Sequence, residues 1–340
     1  MGDRRRVFAA FVVGSSLAAA IVVASWAGDP AHRTAYGDGL IYRFVAAHIG
    51  ASAQELPTFD PDRVVIDRGP SLRYGRIGLP AAVWLVSAGR AGVMKYTQPL
   101  VIVVAAGIAG AAAASLLPGA GIFAAAIPFL APGFALSVAG GYAEVLAVAL
   151  GLWAVVFALR DRWGASALML SLAILTKENA GAILGGLALW LLLRRRPRPI
   201  ATLLLGLVPV VGWWLFIADR FGHIPPLDPY LREATDFIGA PVLSLIRSLT
   251  DAYSAESAIW AGLHVAIGML VVALWKTSLF ALIGAVASLQ LLAAAPFGWR
   301  FIGDASRISS IFQLFVILAI VTWRRPAWAT PGAVPVIRRE

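Results

Sequence analysis

The sequence predicts an all-α protein, a polytopic bundle of transmembrane helices with about ten crossings plus one re-entrant segment. Three observations predict it. Hydrophobic residues make up 60% of the 340 positions and charged residues only 14%, which leaves too little polar surface to cover a soluble core of that size. Apolar runs recur along most of the chain, each bounded by charged or turn-forming residues. Basic residues stand in short clusters between those runs, the pattern that sets membrane orientation, so the net charge of +10 points to no nucleic-acid partner. With no cysteine, the chain has no disulfide framework, thiolate metal site or cysteine nucleophile.

The candidate membrane helices are 7–27, 77–89, 99–117, 119–137, 139–159, 164–176, 179–193, 200–217, 258–275, 277–295 and 308–323. Cytoplasmic ends are marked by Arg4 to Arg6, Arg90 with Lys95, Arg160 with Arg162, Arg194 to Arg198, Lys276, and Arg324 with Arg325. Those marks require an even number of crossings between Lys95 and Arg160, where three runs stand. The run 119–137, interrupted by Pro118, Pro128, Pro132 and Gly133, is therefore expected to re-enter rather than cross. The opening MGDRRRVFAAFVVGSSLAAAIVVASWAG has the basic start and small-residue end of a secretory signal. Because later segments insert on their own, a retained first helix is expected, with both termini cytoplasmic in an integral, multi-pass plasma-membrane protein. Stretches such as VAAGIAGAAAAS suit close helix packing. Nearly all acids fall on the outer side, mainly in loops 28–76 and 218–257, and loops that long are usually functional.

Some runs are too short. The segment between Arg76 and Arg90 and the one between Arg162 and Lys177 each reach roughly 20 Å, and 179–193 roughly 22 Å, against about 30 Å of hydrocarbon. With their inner ends at the interface, Arg76, Lys177 and Glu178 are drawn about 10 Å below the outer surface. Charges at that depth cost about 2.5–3.5 kcal/mol each unless they line a wet cavity or pair. Snorkelling with local thinning explains one such helix; three with their charges at one end point to a shared polar recess.

A recess of that kind suits a lipid-linked substrate, whose tail stays in the membrane while its phosphate meets buried cations. Arg73, Arg76 and Lys177 supply the charge, the arginines as bidentate forks and the lysine as a point charge. If phosphate is the leaving group, the same cations stabilise charge that grows in the transition state. A carboxylate near them would take a proton from an attacking hydroxyl. Asp38 in AYGDGLIYRF is the candidate, sharing a face with Tyr42 if the stretch is helical, although a turn acid between glycines reads equally from the spacing. Asp60, Asp62 and Asp67 read as turn chemistry. Glu144 in GGYAEVLAVAL is an acid inside an apolar helix, a functional residue or half of a structural pair.

Together, Asp38-x-x-x-Tyr42 in a long first loop, RYGRIGLP leading into the next apolar run, Glu144 and LTKEN at 175–179 resemble the GT-C superfamily of polytopic glycosyltransferases, particularly bacterial mannosyltransferase-like members. The similarity covers about residues 5–200, and RYGRIGLP is its most specific element. The resemblance implies a polyprenyl-phosphate sugar as co-substrate, a cell-envelope glycan or glycolipid as acceptor, and inverting transfer at the outer face with Asp38 as base. It puts Arg73, Arg76 and Lys177 at the donor phosphate, with Tyr42, Tyr74, Glu144 and Glu178 in support. Many members carry two adjacent acids in this loop; here Gly39 follows Asp38, so no bound cation is expected. The competing expectation is a lipid-linked-sugar flippase or transporter without transferase chemistry, against which stands the absence of an inverted repeat.

The chain thus divides into a GT-C-like module over 1–200, with its outer loop at 28–76, and a C-terminal set of helices over 201–340. The loop ADRFGHIPPLDPYLREATDFIGAP reads as an interfacial linker or an acceptor loop, and His223 in it as a surface residue. In PFGWRFIGDASR, Trp299 suits the aromatic belt or sugar stacking. Arg300, Asp304 and Arg307 suit a salt-bridged structural knot or the binding of phosphate or acceptor.

Overall fold

The computed structural model describes residues 2–28, 38–49, 70–225, 259, 262–263, 266–270, 273, 278–292 and 309–322, and among them every regular element is helical. In chain order these are α1 (Gly2–Gly28), α2 (Asp38–Ala47), α3 (Pro70–Gly75), α4 (Gly78–Val86) and α5 (Ala91–Leu116). A 3₁₀ stretch (Pro118–Leu130) leads into α6 (Pro132–Gly140), α7 (Glu144–Leu159), α8 (Trp163–Thr176) and α9 (Gly181–Leu193). There follow α10 (Pro197–Leu205), α11 (Val208–Phe221), α12 (Leu279–Leu292) and α13 (Ser310–Thr322). Three helical stretches among the described residues are long and apolar enough to cross a bilayer: Arg4–Gly28, Ala91–Leu116 and Pro197–Phe221. A fourth is added if Pro118–Leu130 and Pro132–Gly140, bent by 75°, form one broken span.

The core is built on small residues. α1 and α5 run antiparallel, with Gly14 against Ala106 and Gly110 against the Ala10 carbonyl. A Cβ on Gly107 would stand 2.2 Å from Ser15 Oγ and 2.8 Å from the Phe11 carbonyl, so the helix axes approach to a distance that only glycine permits. This is the close packing expected of VAAGIAGAAAAS. α7 runs parallel to α5, fixed by Trp153 Nε1 donating to the Ile108 carbonyl at 3.1 Å.

These contacts fix which chain ends lie together. The Arg6 guanidinium donates to the Pro118 carbonyl at 2.9 Å, so the start of α1 meets the end of α5. Arg196 pairs with Asp161 at 2.9 Å, joining the turns after α7 and α9 at that same end of the bundle. The opposite end begins near Gln98, about 27 Å up α5 from Leu116, where Gln98 Nε2 donates to the Gly141 carbonyl at 2.9 Å.

Two expectations change as a result. The segment 118–140 starts beside Arg6 and ends beside Gln98, so its two ends lie at opposite ends of α5, the geometry of a broken span in place of the expected re-entrant loop. Its break leaves amides at the start of α6 without helical partners, and Gln313 of α13 accepts from one of them, the Gly133 N–H, at 3.0 Å. Conversely, the helix in 77–89 is too short to cross a bilayer. It is only nine residues long, begins beside Thr176 at the Gln98 end and turns back through Ser87 to Arg90 into the first turns of α5. Arg90 and Lys95 therefore lie at the end opposite Arg6, Arg162 and Arg196. Charge clustering misassigned them because the rule weighs local basic residues and cannot see that a short helix folds back.

This arrangement makes a sided prediction. The chain has no cysteine, so single introduced cysteines report cleanly. In intact cells, Lys95→Cys and His223→Cys are expected to react with a membrane-impermeant maleimide from one side, and Arg195→Cys only after the membrane is opened. Lys95→Cys labelling together with Arg195→Cys would overturn it.

Candidate functional site

The charged motif residues converge where α8 ends. Lys177 follows Thr176 in an extended conformation (φ −156, ψ 123), its N–H closing α8 on the Ala173 carbonyl at 2.8 Å. An extended step sends successive side chains to opposite sides. Lys177 and Glu178 accordingly address different elements. Lys177 Nζ stands 3.1 Å from Glu144 Oε1, and both side chains are buried, 5% and 1% exposed. Glu178 turns to Arg76, which donates from Nε to Oε2 at 2.8 Å and from Nη2 to Oε1 at 2.5 Å, a two-pronged contact.

Local backbone explains each placement. Gly141 takes the left-handed conformation (φ 70, ψ 36) that ends α6, and Glu144 opens α7 three residues later, an acid in the first turn where the helix dipole favours it. RYGRIGLP breaks into α3, a two-residue step and α4. Both of its glycines are contact points. A Cβ on Gly75 would stand 2.6 Å from Pro225 Cβ, and one on Gly78 would stand 2.0 Å from Thr176 Oγ1 and 2.8 Å from Thr176 Cα. Only the hydrogen at Gly78 lets α4 press on the end of α8 and bring Arg76 to Glu178. Gly78→Ala is therefore expected to cost about 1–3 kcal/mol by overpacking, measured as thermal unfolding in detergent; an unchanged unfolding midpoint would refute the contact.

A second network joins this corner from α5. Gln98, fully buried, donates from Nε2 to the Gly39 carbonyl at 2.8 Å and to the Gly141 carbonyl at 2.9 Å. Its Oε1 accepts from Arg43 Nε at 3.2 Å. One amide thus ties the start of α2, which is Asp38, to the turn that positions Glu144. Gln98 lies about 10 Å along α5 from its Ala91 end, so the corner sits one to two turns in from that end of the helix.

The expected residues distribute as follows. Arg76, Lys177, Glu144 and Glu178 are brought together. Tyr42, buried on α2, lies within electrostatic reach of the Lys177 ammonium. Asp38 is the first residue of α2, so the stretch from Asp38 to Tyr42 is helical. Arg73 lies in the last turn of α3, half-buried, one turn before Arg76. Tyr74 belongs to a separate apolar cluster: its ring lies 5.0 Å from that of Phe221, and its carbonyl accepts from Trp213 Nε1 at 3.0 Å. Arg300 and Arg307 lie outside the described residues, as do Trp299 and Asp304. His223 is exposed, as a surface residue should be.

The geometry alters what the cations offer. Of the two ways to hold charge at depth, a wet cavity or a pair, Arg76 and Lys177 use pairing, each against a carboxylate. The four groups sum to zero charge. Sequence reasoning missed Gln98 and Arg43. Gln98 stands one residue before the apolar run taken to start at 99, and an amide beside Pro99 in a membrane helix was the signal that it needed buried partners. No protein-family model, no curated protein and no solved structure matches this chain.

Proposed function

We propose that the protein is an inverting glycosyltransferase of the GT-C type, an integral plasma-membrane enzyme that moves a mannose-type sugar from a polyprenyl-phosphate donor to a cell-envelope glycan or glycolipid acceptor at the outer face. The observation that carries this reading is the convergence of Arg76–Glu178 and Lys177–Glu144 beside the start of α2, so that motif residues of the resemblance share one corner. About ten crossings remain the proposed count, with 118–140 in place of 77–89. The N-terminus is cytoplasmic in this reading, because Arg6, Arg162 and Arg196 share one end, and an even count of ten crossings returns the C-terminus to the same side.

In this reading the acceptor hydroxyl attacks the anomeric carbon from the face opposite the phosphate. Asp38 takes the hydroxyl proton, the bond from sugar to phosphate oxygen breaks, and polyprenyl phosphate leaves with the electron pair. The paired Arg76 and Lys177 shape the corner and polarise it, and Arg73 adds charge one helical turn away. The test is label transfer from a radiolabelled polyprenyl-phosphate mannose to a membrane extract by the purified protein. Transfer by the wild type that is lost in Asp38→Asn, with the fold intact, supports the enzyme. A lipid-linked-sugar flippase is the second reading, favoured by the neutral pairing, since matched charges can exchange partners without chemistry. Label that crosses sealed vesicles with no transfer would replace the first reading by the second.

A further inference from the structure

We infer that Arg43, held by Gln98, binds an anionic phosphate group at the corner between α2 and α7. Arg76 and Lys177 each face a carboxylate, whereas Arg43 donates from Nε to a neutral acceptor, Gln98 Oε1, at 3.2 Å. The Gln98 amide cannot be turned the other way: both of its N–H donors are taken by the Gly39 and Gly141 carbonyls, and a flip would set oxygen against oxygen. Its oxygen is thus fixed toward the guanidinium, which it orients without neutralising.

The guanidinium also has donor capacity left over. Arg43 Nη2 is buried and makes no hydrogen bond among the described residues. A buried donor on a charged group is costly to leave unmade, and an anion with several acceptor oxygens satisfies both the charge and the donor. The planar fork matches phosphate in particular. Arg43 stands five residues after Asp38 on α2, and the carbonyl of Gly39, next to Asp38, holds the amide that orients it. The ligand class is a phosphate ester or free phosphate. The inference rests on the reading of this corner as the donor site and not on the transfer step.

The test uses the full-length protein in zwitterionic nanodiscs, titrated with a long-chain isoprenyl monophosphate and, separately, with inorganic phosphate. Arg43→Gln is expected to weaken binding of the isoprenyl probe about tenfold or more, the loss of one charge-assisted contact. In the wild type, the probe is expected to protect Arg43 from phenylglyoxal, read by mass spectrometry, which decides the matter even if the variant fails to fold. Protection by inorganic phosphate as well assigns recognition to the phosphate alone; protection by the isoprenyl probe only assigns it to phosphate and tail together. Wild-type affinity in Arg43→Gln, or an Arg43 that neither probe protects, would overturn the inference. Arg43-dependent binding without sugar transfer retains this inference and discards the transferase reading. Sugar transfer with full affinity in Arg43→Gln does the reverse.

Discussion

Replacing Lys177 by methionine is expected to destabilise the protein by about 3–5 kcal/mol, because it removes one partner of a buried ion pair and leaves a carboxylate in low dielectric. Glu144 is 1% exposed and Lys177 5%, so neither charge can turn to solvent for compensation without moving its helix. Glu144→Gln is expected to fall in the same range, now with an ammonium left behind. The double variant Lys177→Met, Glu144→Leu carries no charge at this point and is expected to regain most of the loss, since a buried pair need not beat a well-packed apolar one. Thermal unfolding in detergent of the two single variants and the double variant measures this. Additive losses in the double variant would show that the two side chains act independently. Arg76→Ala is expected to cost less, because the Glu178 side chain is 41% exposed and its charge is partly screened without Arg76.

Asp38→Asn is expected to lower sugar transfer by about 10²–10⁴-fold, the usual contribution of a positioned general base, while leaving the unfolding midpoint near that of the wild type. The contrast with Lys177→Met separates chemistry from architecture. Asp38 opens α2 and is anchored through its neighbour Gly39, whose backbone carbonyl meets Gln98; a change of side chain at Asp38 leaves that hydrogen bond in place. Donor binding measured beside transfer sharpens the test. Unchanged binding with lost transfer fits a proton acceptor, whereas lost binding would move Asp38 from the base role to the donor site. Transfer at the wild-type rate would remove it from both.

Much of this molecule was legible because a membrane imposes simple rules. Several apolar runs found their helices to within a few residues (α1, α8, α9, α12 and α13), α8 and α9 proved as short as their bounding charges implied, and Glu144 signalled a partner by being ionic inside an apolar stretch. The break at Pro132 was visible as proline and glycine. What failed was topology between Lys95 and Arg160, where a parity argument trusted Arg90 and Lys95 as cytoplasmic marks. Arg43 and Gln98 escaped for a different reason: each is a single polar residue at the edge of a run, and only their meeting gives them meaning.

Composition and the spacing of charges by themselves determined that this chain is helical, with apolar helices that suit a membrane and several that are short, because burying backbone in hydrocarbon leaves few alternatives. Tertiary structure alone decided which segment joins the two ends of α5, which cation meets which carboxylate, and which guanidinium faces a neutral amide. Those outcomes depend on contacts between residues far apart in the chain: Arg6 with Pro118, Arg76 with Glu178, Gln98 with Gly39 and Gly141. No local pattern encodes such contacts, since each depends on how closely glycine and alanine allow two helices to approach.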